Sequence, residues 1–249
     1  MKILHVSEID LNRKKDVGVL KKTIAQMKTF QNYNYHVNFL MYKDKEPILF
    51  ELPKIDEKEL KTLEYFKKRS NLKRKNRISL IKVLKQIAHE YDLLYIRFFV
   101  PDPFFMKFIE KNNRILKILE IPTEISAVKK EIKINQKGIK KLLGLFFIKT
   151  FFCRLLNESD CIVSISNKNN VNQDNKLISI ENGVYLEDIK VKKDIKENLN
   201  RLCLLSIANN QYWHGYDRII KGLHEYYKTD PEKEVFYHCV GEGAELTNL

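Results

Sequence analysis

Residues 1–41, MKILHVSEIDLNRKKDVGVLKKTIAQMKTFQNYNYHVNFLM, read as one strand–loop–helix–strand unit. Lys2 to Val6 is a short apolar run entered almost directly from the N-terminus, and Ser7 to Gly18 is a polar connection. From Val19 to Gln31 the apolar residues recur with helical spacing, and His36 to Met41 is again a continuous apolar run. A strand, a helix and a second strand joined this way make a βαβ unit, which places the two strands parallel in one sheet.

The alternation continues outward from this unit. Strands are expected at Leu93–Arg97, Ile115–Ile121, Cys161–Ser166, Leu177–Ile180, Arg201–Ile207 and Val235–Val240. Helices are expected at Leu80–Glu90, Phe104–Lys111, Ile139–Asn157 and Tyr216–Lys228. The fold class is therefore α/β, with no internal repeat of solenoid length.

Composition sets the outer bounds. The chain has 249 residues, 44% of them apolar and 31% charged, with 8 Gly and 6 Pro, which excludes collagen-like and globally disordered classes. Cys153, Cys161, Cys203 and Cys239 are widely separated without metal-ligand spacing, so reduced, mostly core thiols are expected and neither a metal site nor a disulfide framework. The opening strand meets Glu8 and Asp10 where a secretory signal needs a longer apolar run, so a cytoplasmic location is expected. The most apolar stretch, Leu142 to Leu156, is interrupted by Lys149 and Arg154 and is shorter than the roughly 20 residues that span a bilayer.

With 45 Lys and Arg against 32 Asp and Glu, the formal net charge is +13, which favours anionic partners. The excess is local. Lys58 to Lys85 holds 11 basic and 2 acidic residues, and Ser126 to Arg154 holds 8 basic and 1 acidic. A solvated helix face accounts for such runs, and so does contact with anionic lipid. No nucleic-acid-binding motif accompanies the charge, so no nucleic-acid partner is expected.

Residues 186–200 are polar and charged and separate a first domain, 1–185, from a second region, 201–249. Two strands and one helix do not cover both faces of a doubly wound sheet, so the second domain is expected to be incomplete at Leu249.

Three loops fall where an α/β sheet places its ligands, after the carboxyl ends of strands. The first ends at Gly18, ahead of a helix whose free amides suit a phosphate. The second runs from Ala208 to Arg218 and brings the only tryptophan, Trp213, beside His214, Gly215 and Arg218 at a helix start. The third is Val240-Gly241-Glu242-Gly243-Ala244-Glu245-Leu246, where two glycines permit close backbone approach. Singly, each feature is common: an ordinary turn, a structural histidine, a filler tryptophan.

Their order resembles one family. Glu181-Asn182-Gly183-Val184, then Trp213-His214-Gly215-Tyr216-Asp217-Arg218-Ile219-Ile220-Lys221-Gly222-Leu223, then the Gly241–Gly243 loop look like the retaining, GT-B-fold glycosyltransferases of family 4, group 1, of the variety that builds bacterial capsular and surface polysaccharides. Tyr95-Ile96-Arg97, Leu119-Glu120-Ile121-Pro122-Thr123 and Asp160 to Ser166 agree in the first half.

That resemblance implies two Rossmann-like domains, the first binding the acceptor and the second, incomplete here, a UDP- or GDP-type nucleotide sugar. It implies hexose transfer with retention to a growing glycan or lipid-linked acceptor, without a metal or cofactor. Gly18, Asn209, His214, Gly215, Arg218, Gly241, Glu242 and Gly243 are the expected donor-diphosphate residues, and Glu120 and Thr123 belong to the acceptor side. The family's Gly-Arg-x-x-x-x-Lys-Gly diphosphate loop matches Ala208 to Gly215, with Asn209 in place of the Arg and His214 in place of the Lys. The catalytic residues remain unknown, since the family's two donor-holding glutamates would lie beyond Leu249. Little or no transferase activity is expected from these 249 residues alone. The resemblance and the charge together suggest a protein peripheral to an anionic membrane; the alternative function is a non-catalytic acceptor- or membrane-binding subunit.

Overall fold

The computed structural model describes residues 1–13, 16–51, 61–62, 77–165, 175–181, 183, 201–208, 214–229 and 231–241. The chain divides into two compact units, Met1–Leu186 and Glu187–Leu249.

The first unit is built on β1 (Lys2–Asp10), β2 (His36–Lys43), β3 (Glu46–Glu51), β4 (Lys61–Thr62), β5 (Leu93–Arg97), β6 (Leu116–Ile121), β7 (Cys161–Ser164) and β8 (Leu177–Ser179), in one sheet of order β4-β3-β2-β1-β5-β6-β7-β8. From β2 to β8 every neighbouring pair is parallel. The helices are α1 (Val17–Asn32), α2 (Arg77–Ile87, followed by a 3-10 turn Ala88–Glu90), α3 (Pro103–Lys111), α4 (Ile125–Asn135) and α5 (Gly138–Glu158). This is a mostly parallel, Rossmann-like α/β architecture.

Strand alternation divides the core into two layers. Ile3, Val37, Phe39, Met41, Leu93 and Tyr95 face one way and pack with Met27 of α1. Leu4, Val6, Leu40, Leu94, Ile96 and Leu119 face the other way, against Leu80 and Leu84 of α2, Phe105 and Ile109 of α3, and Phe151 and Leu155 of α5. Helix α3 has a clear start: the Asp102 carboxylate accepts the Phe104 and Phe105 amides at 2.8 and 2.9 Å, and Pro103 occupies the first turn.

The chain leaves β1 through α1 to β2 on one side and continues through β5 to β8 on the other. The loops after β1 and β5 therefore diverge to opposite faces, which opens a crevice at their carboxyl ends.

Several expectations need correction. β3 and β4 extend the sheet with antiparallel pairs, and α4 was not anticipated. Helix α1 starts at Val17, so Gly18 lies within its first turn and not in the preceding loop. Cys153 and Cys203 are exposed, not core, and all four cysteines are free thiols.

In the second unit β9 (Arg201–Ile207) and β10 (Glu234–Val240) pair in parallel from Arg201↔Glu234 to Ile207↔Val240, and α6 (Tyr216–Tyr227) connects them.

Candidate functional site

In the first unit a cavity of about 760 Å³ occupies the crevice. Its floor is formed by Ser7 and Glu8 from β1, Arg97 at the end of β5 with Phe98 next to it, and Pro122 and Thr123 after β6. Arg77 closes one side from the start of α2, and the α4–α5 pair forms another wall through Val128, Ile132, Gly144 and Phe147. α5 approaches α4 closely at Gly144, where an added Cβ would meet Ile132 Cγ2 at 3.3 Å.

Arg77 and Arg97 both reach the cavity already paired. Arg97 and Glu120 are direct register partners on β5 and β6, and the Arg97 guanidinium donates to Glu120 Oε1. Glu120 itself is 0% exposed. It supports Arg97 from beneath and does not line the cavity, whereas Thr123, the other residue of the expected acceptor side, does line it. Arg77 donates through Nε to Glu8 Oε1 at 2.8 Å and through Nη1 to the Val100 carbonyl, and Asp102 Oδ2 lies 3.6 Å from Nη1. Burial works against its charge, but Glu8 and Asp102 outweigh that and hold its pKa above the usual arginine value.

Beneath Arg97 lies His5, fully buried and stacked on Tyr95 at 5.6 Å. Neither ring nitrogen finds a partner beyond its own residue. Burial first, and then the Arg97 charge, push the imidazole pKa down to about 3, so it stays neutral. Burial and the Arg97 charge also lower Lys22 on α1, and burial with the neighbouring Glu120 raises Tyr95. The Ser7 hydroxyl, on the cavity floor, is buried without a hydrogen-bond partner.

The cavity thus presents guanidinium donors, carboxylate acceptors and a hydroxyl, with Phe98, Phe99 and Phe147 as apolar surface. Among the described residues no cluster of His, Cys, Asp and Glu could hold a metal ion.

In the second unit Ala208 and Gly241, the residues that follow β9 and β10, meet at the carboxyl ends of those strands. Ala208 donates its amide to Val240 O at 3.1 Å, and an added Cβ on Gly241 (φ 148°) would lie 1.8 Å from Ala208 O. Only glycine permits that approach. Gly215 caps α6 in the left-handed region at φ 70°, and the Arg218 side chain folds over it, with Nη2 2.5 Å from where a Cβ would stand. His214 lies edge-on to Tyr216 at 6.1 Å between centroids. His214, Gly215, Arg218 and Gly241 therefore belong to this unit, whereas Gly18 belongs to the first unit and takes no part in its cavity lining. Asn209, Trp213, Glu242, Gly243 and the 186–200 linker lie outside the described residues.

Sequence reading missed Ser7, Arg77 and the α4–α5 wall. Arg77 stood in a basic run with nothing to distinguish it from its neighbours, and only its three partners, Glu8, Val100 and Asp102, distant in sequence, mark it. Compared with known proteins, the chain matches no protein-family model, and no curated protein is significantly similar to it.

Proposed function

We propose that the protein is a glycosyltransferase in which the first unit binds a hydroxyl-rich acceptor and the second binds a nucleotide sugar, from which a hexose is transferred with retention. The observation that carries this reading is the pairing of Arg77 and Arg97 with carboxylates at the cavity. Paired charges leave little net potential for a polyanion, yet they offer donors and acceptors side by side. Sugar hydroxyls both donate and accept, so a glycan fits such a wall better than a free nucleotide diphosphate.

The diphosphate is assigned to the second unit, where α6 begins at Gly215 and Arg218 supplies a guanidinium beside that start. Amides and cations there would stabilise the leaving group without a metal. Gly241 lets the end of β10 approach the Ala208 carbonyl that follows β9.

Calorimetric titration with UDP, GDP and their hexose conjugates tests this. Binding is expected for one nucleotide class, and Arg218→Ala weakens it about tenfold, the value of one charge-assisted contact. Absence of binding to every nucleotide and nucleotide sugar overturns the reading, and unchanged affinity in Arg218→Ala removes that residue from the site.

A further inference from the structure

Strand β9 is apolar on both of its faces, with Leu202 and Leu204 on one and Leu205 and Ile207 on the other. A strand of a parallel sheet with that pattern is one that is covered from both sides. In the first unit this holds: α1 packs on one face of the sheet, and α2, α3 and α5 pack on the other. In the second unit α6 covers one face. The Tyr237 ring of β10 lies 6.4 Å from the ring of Tyr216, a buried residue of α6, and its hydroxyl meets Ser206 of β9 at 2.9 Å.

The opposite face carries Arg201, Leu205 and Ile207 of β9 and Glu234, Phe236 and Val240 of β10. Leu205, Ile207 and Val240 are 61, 73 and 51% exposed, and Phe236 is 37% exposed. At one end of the face Arg201 Nε reaches Glu234 Oε2 at 3.2 Å, and the guanidinium lies 4.8 Å over the Phe236 ring. Those two are the only Lys, Arg, Asp or Glu side chains on this face among the described residues. The face is therefore apolar and electrically neutral, on a chain whose formal net charge is +13.

A cluster of exposed apolar side chains marks an interaction surface, and here charge and register select the occupant. Two copies of a strongly basic chain repel each other wherever lysines oppose lysines, and a neutral face escapes that cost. Arg201 and Glu234 are direct partners across the β9–β10 ladder, as are Ile207 and Val240. A two-fold axis along the strand direction lays β9 of one copy on β10 of the other. Arg201 then faces Glu234 of the second copy, and Ile207 faces its Val240, each contact occurring twice. Sheets packed face to face keep their strands nearly aligned, which this axis satisfies.

We propose that the protein forms a two-fold dimer through this open face, the two β9–β10 sheets packing into a two-layer core. Two strands of seven residues from each copy make a small interface, at or below the roughly 1,200 Å² where standard interfaces begin, so the association is micromolar and depends on concentration. The dimer goes beyond the transferase reading and does not rest on it.

The test is sedimentation velocity of the full chain from low to high micromolar concentration, under reducing conditions so that the exposed Cys203 forms no cross-link. A monomer–dimer equilibrium is expected. Leu205→Glu with Ile207→Glu, both at exposed positions, is expected to weaken association about a hundredfold or more, because the dimer would bury unpaired carboxylates. Arg201→Glu and Glu234→Arg, each alone, are expected to weaken it about tenfold, since each sets like charges against each other. An equimolar mixture of those two single variants restores pairing between copies and is expected to associate at least as tightly as wild type.

A monomer at every concentration overturns the proposal. A dimer that survives Leu205→Glu with Ile207→Glu lies on another surface and also overturns it. So does a mixture of the Arg201→Glu and Glu234→Arg variants that associates no better than either alone. A melting temperature lowered by Leu205→Glu with Ile207→Glu at concentrations where wild type is monomeric assigns the cover of this face to the chain itself, and overturns the dimer as well.

Discussion

Arg97 and Glu120 are register partners on adjacent parallel strands, and their ion pair joins a fully buried carboxylate to a guanidinium on the cavity floor. The pair costs desolvation on both sides, so its value shows when one member is removed. Arg97→Met leaves Glu120 charged and alone in the core and is expected to lower stability by about 3 kcal/mol. Adding Glu120→Leu should restore much of that loss, because an apolar pair needs no compensation. Urea unfolding of the two variants measures both effects, and an unaltered midpoint in Arg97→Met would contradict the pairing.

His5 makes stability depend on pH. Its pKa is about 3 in the folded chain against 6.5 as the ordinary value, so below pH 6.5 the unfolded chain binds a proton that the native chain refuses. Stability contributed by the neutral ring is complete above pH 6.5 and is lost progressively as pH falls towards 3. Between pH 6.5 and 5 the expected loss is about 1.5 kcal/mol. His5→Phe, which keeps a ring against Tyr95 and Phe39, should flatten the slope in that interval. Denaturation series at several pH values decide the matter.

Gly241 and Gly215 both have positive φ, but the obstacles differ. At Gly241 an added methyl strikes the Ala208 carbonyl, which is backbone; at Gly215 it strikes the end of the Arg218 side chain, which can swing aside. Gly215→Ala is expected to cost about 1 kcal/mol and to displace Arg218. Gly241→Ala should cost at least about 3 kcal/mol and separate the ends of β9 and β10. Hydrogen exchange at the Ala208 amide reports the difference: protection close to wild type in Gly215→Ala, and lost in Gly241→Ala.

Arg77 holds three segments at once. Glu8 belongs to β1, Val100 to the loop after β5 and Asp102 to the cap of α3, and the guanidinium also lies 5.1 Å over the Phe99 ring. A lysine keeps the charge but cannot reproduce the fork, so Arg77→Lys is expected to lower stability by about 2 kcal/mol. A melting temperature equal to wild type would show that charge alone suffices there.

Local pattern was enough to establish the parallel α/β class. Leu93–Arg97 and Arg201–Ile207 are strands with the expected bounds, because each is a short apolar run that cannot bury itself as a lone helix turn. The βαβ unit of residues 2–43 follows from the same alternation, and Gly241 was legible as a permissive position before its partner was known. What sequence could not supply was whatever depends on residues far apart. The β2–β3 hairpin turns at Asp44 and Lys45, both with positive φ and without the Asn-Gly signature, and the Lys45 amide is held by Asp10 Oδ2 at 3.0 Å. Glu120 is placed beneath Arg97 by strand register, which no local pattern encodes. Helix α5 is apolar nearly all round, so periodicity alone cannot say which stripe faces the core. Packing on α3 and α4 chose the Phe151 side, and the opposite stripe was left to solvent because a helix can bury only the face its neighbours cover.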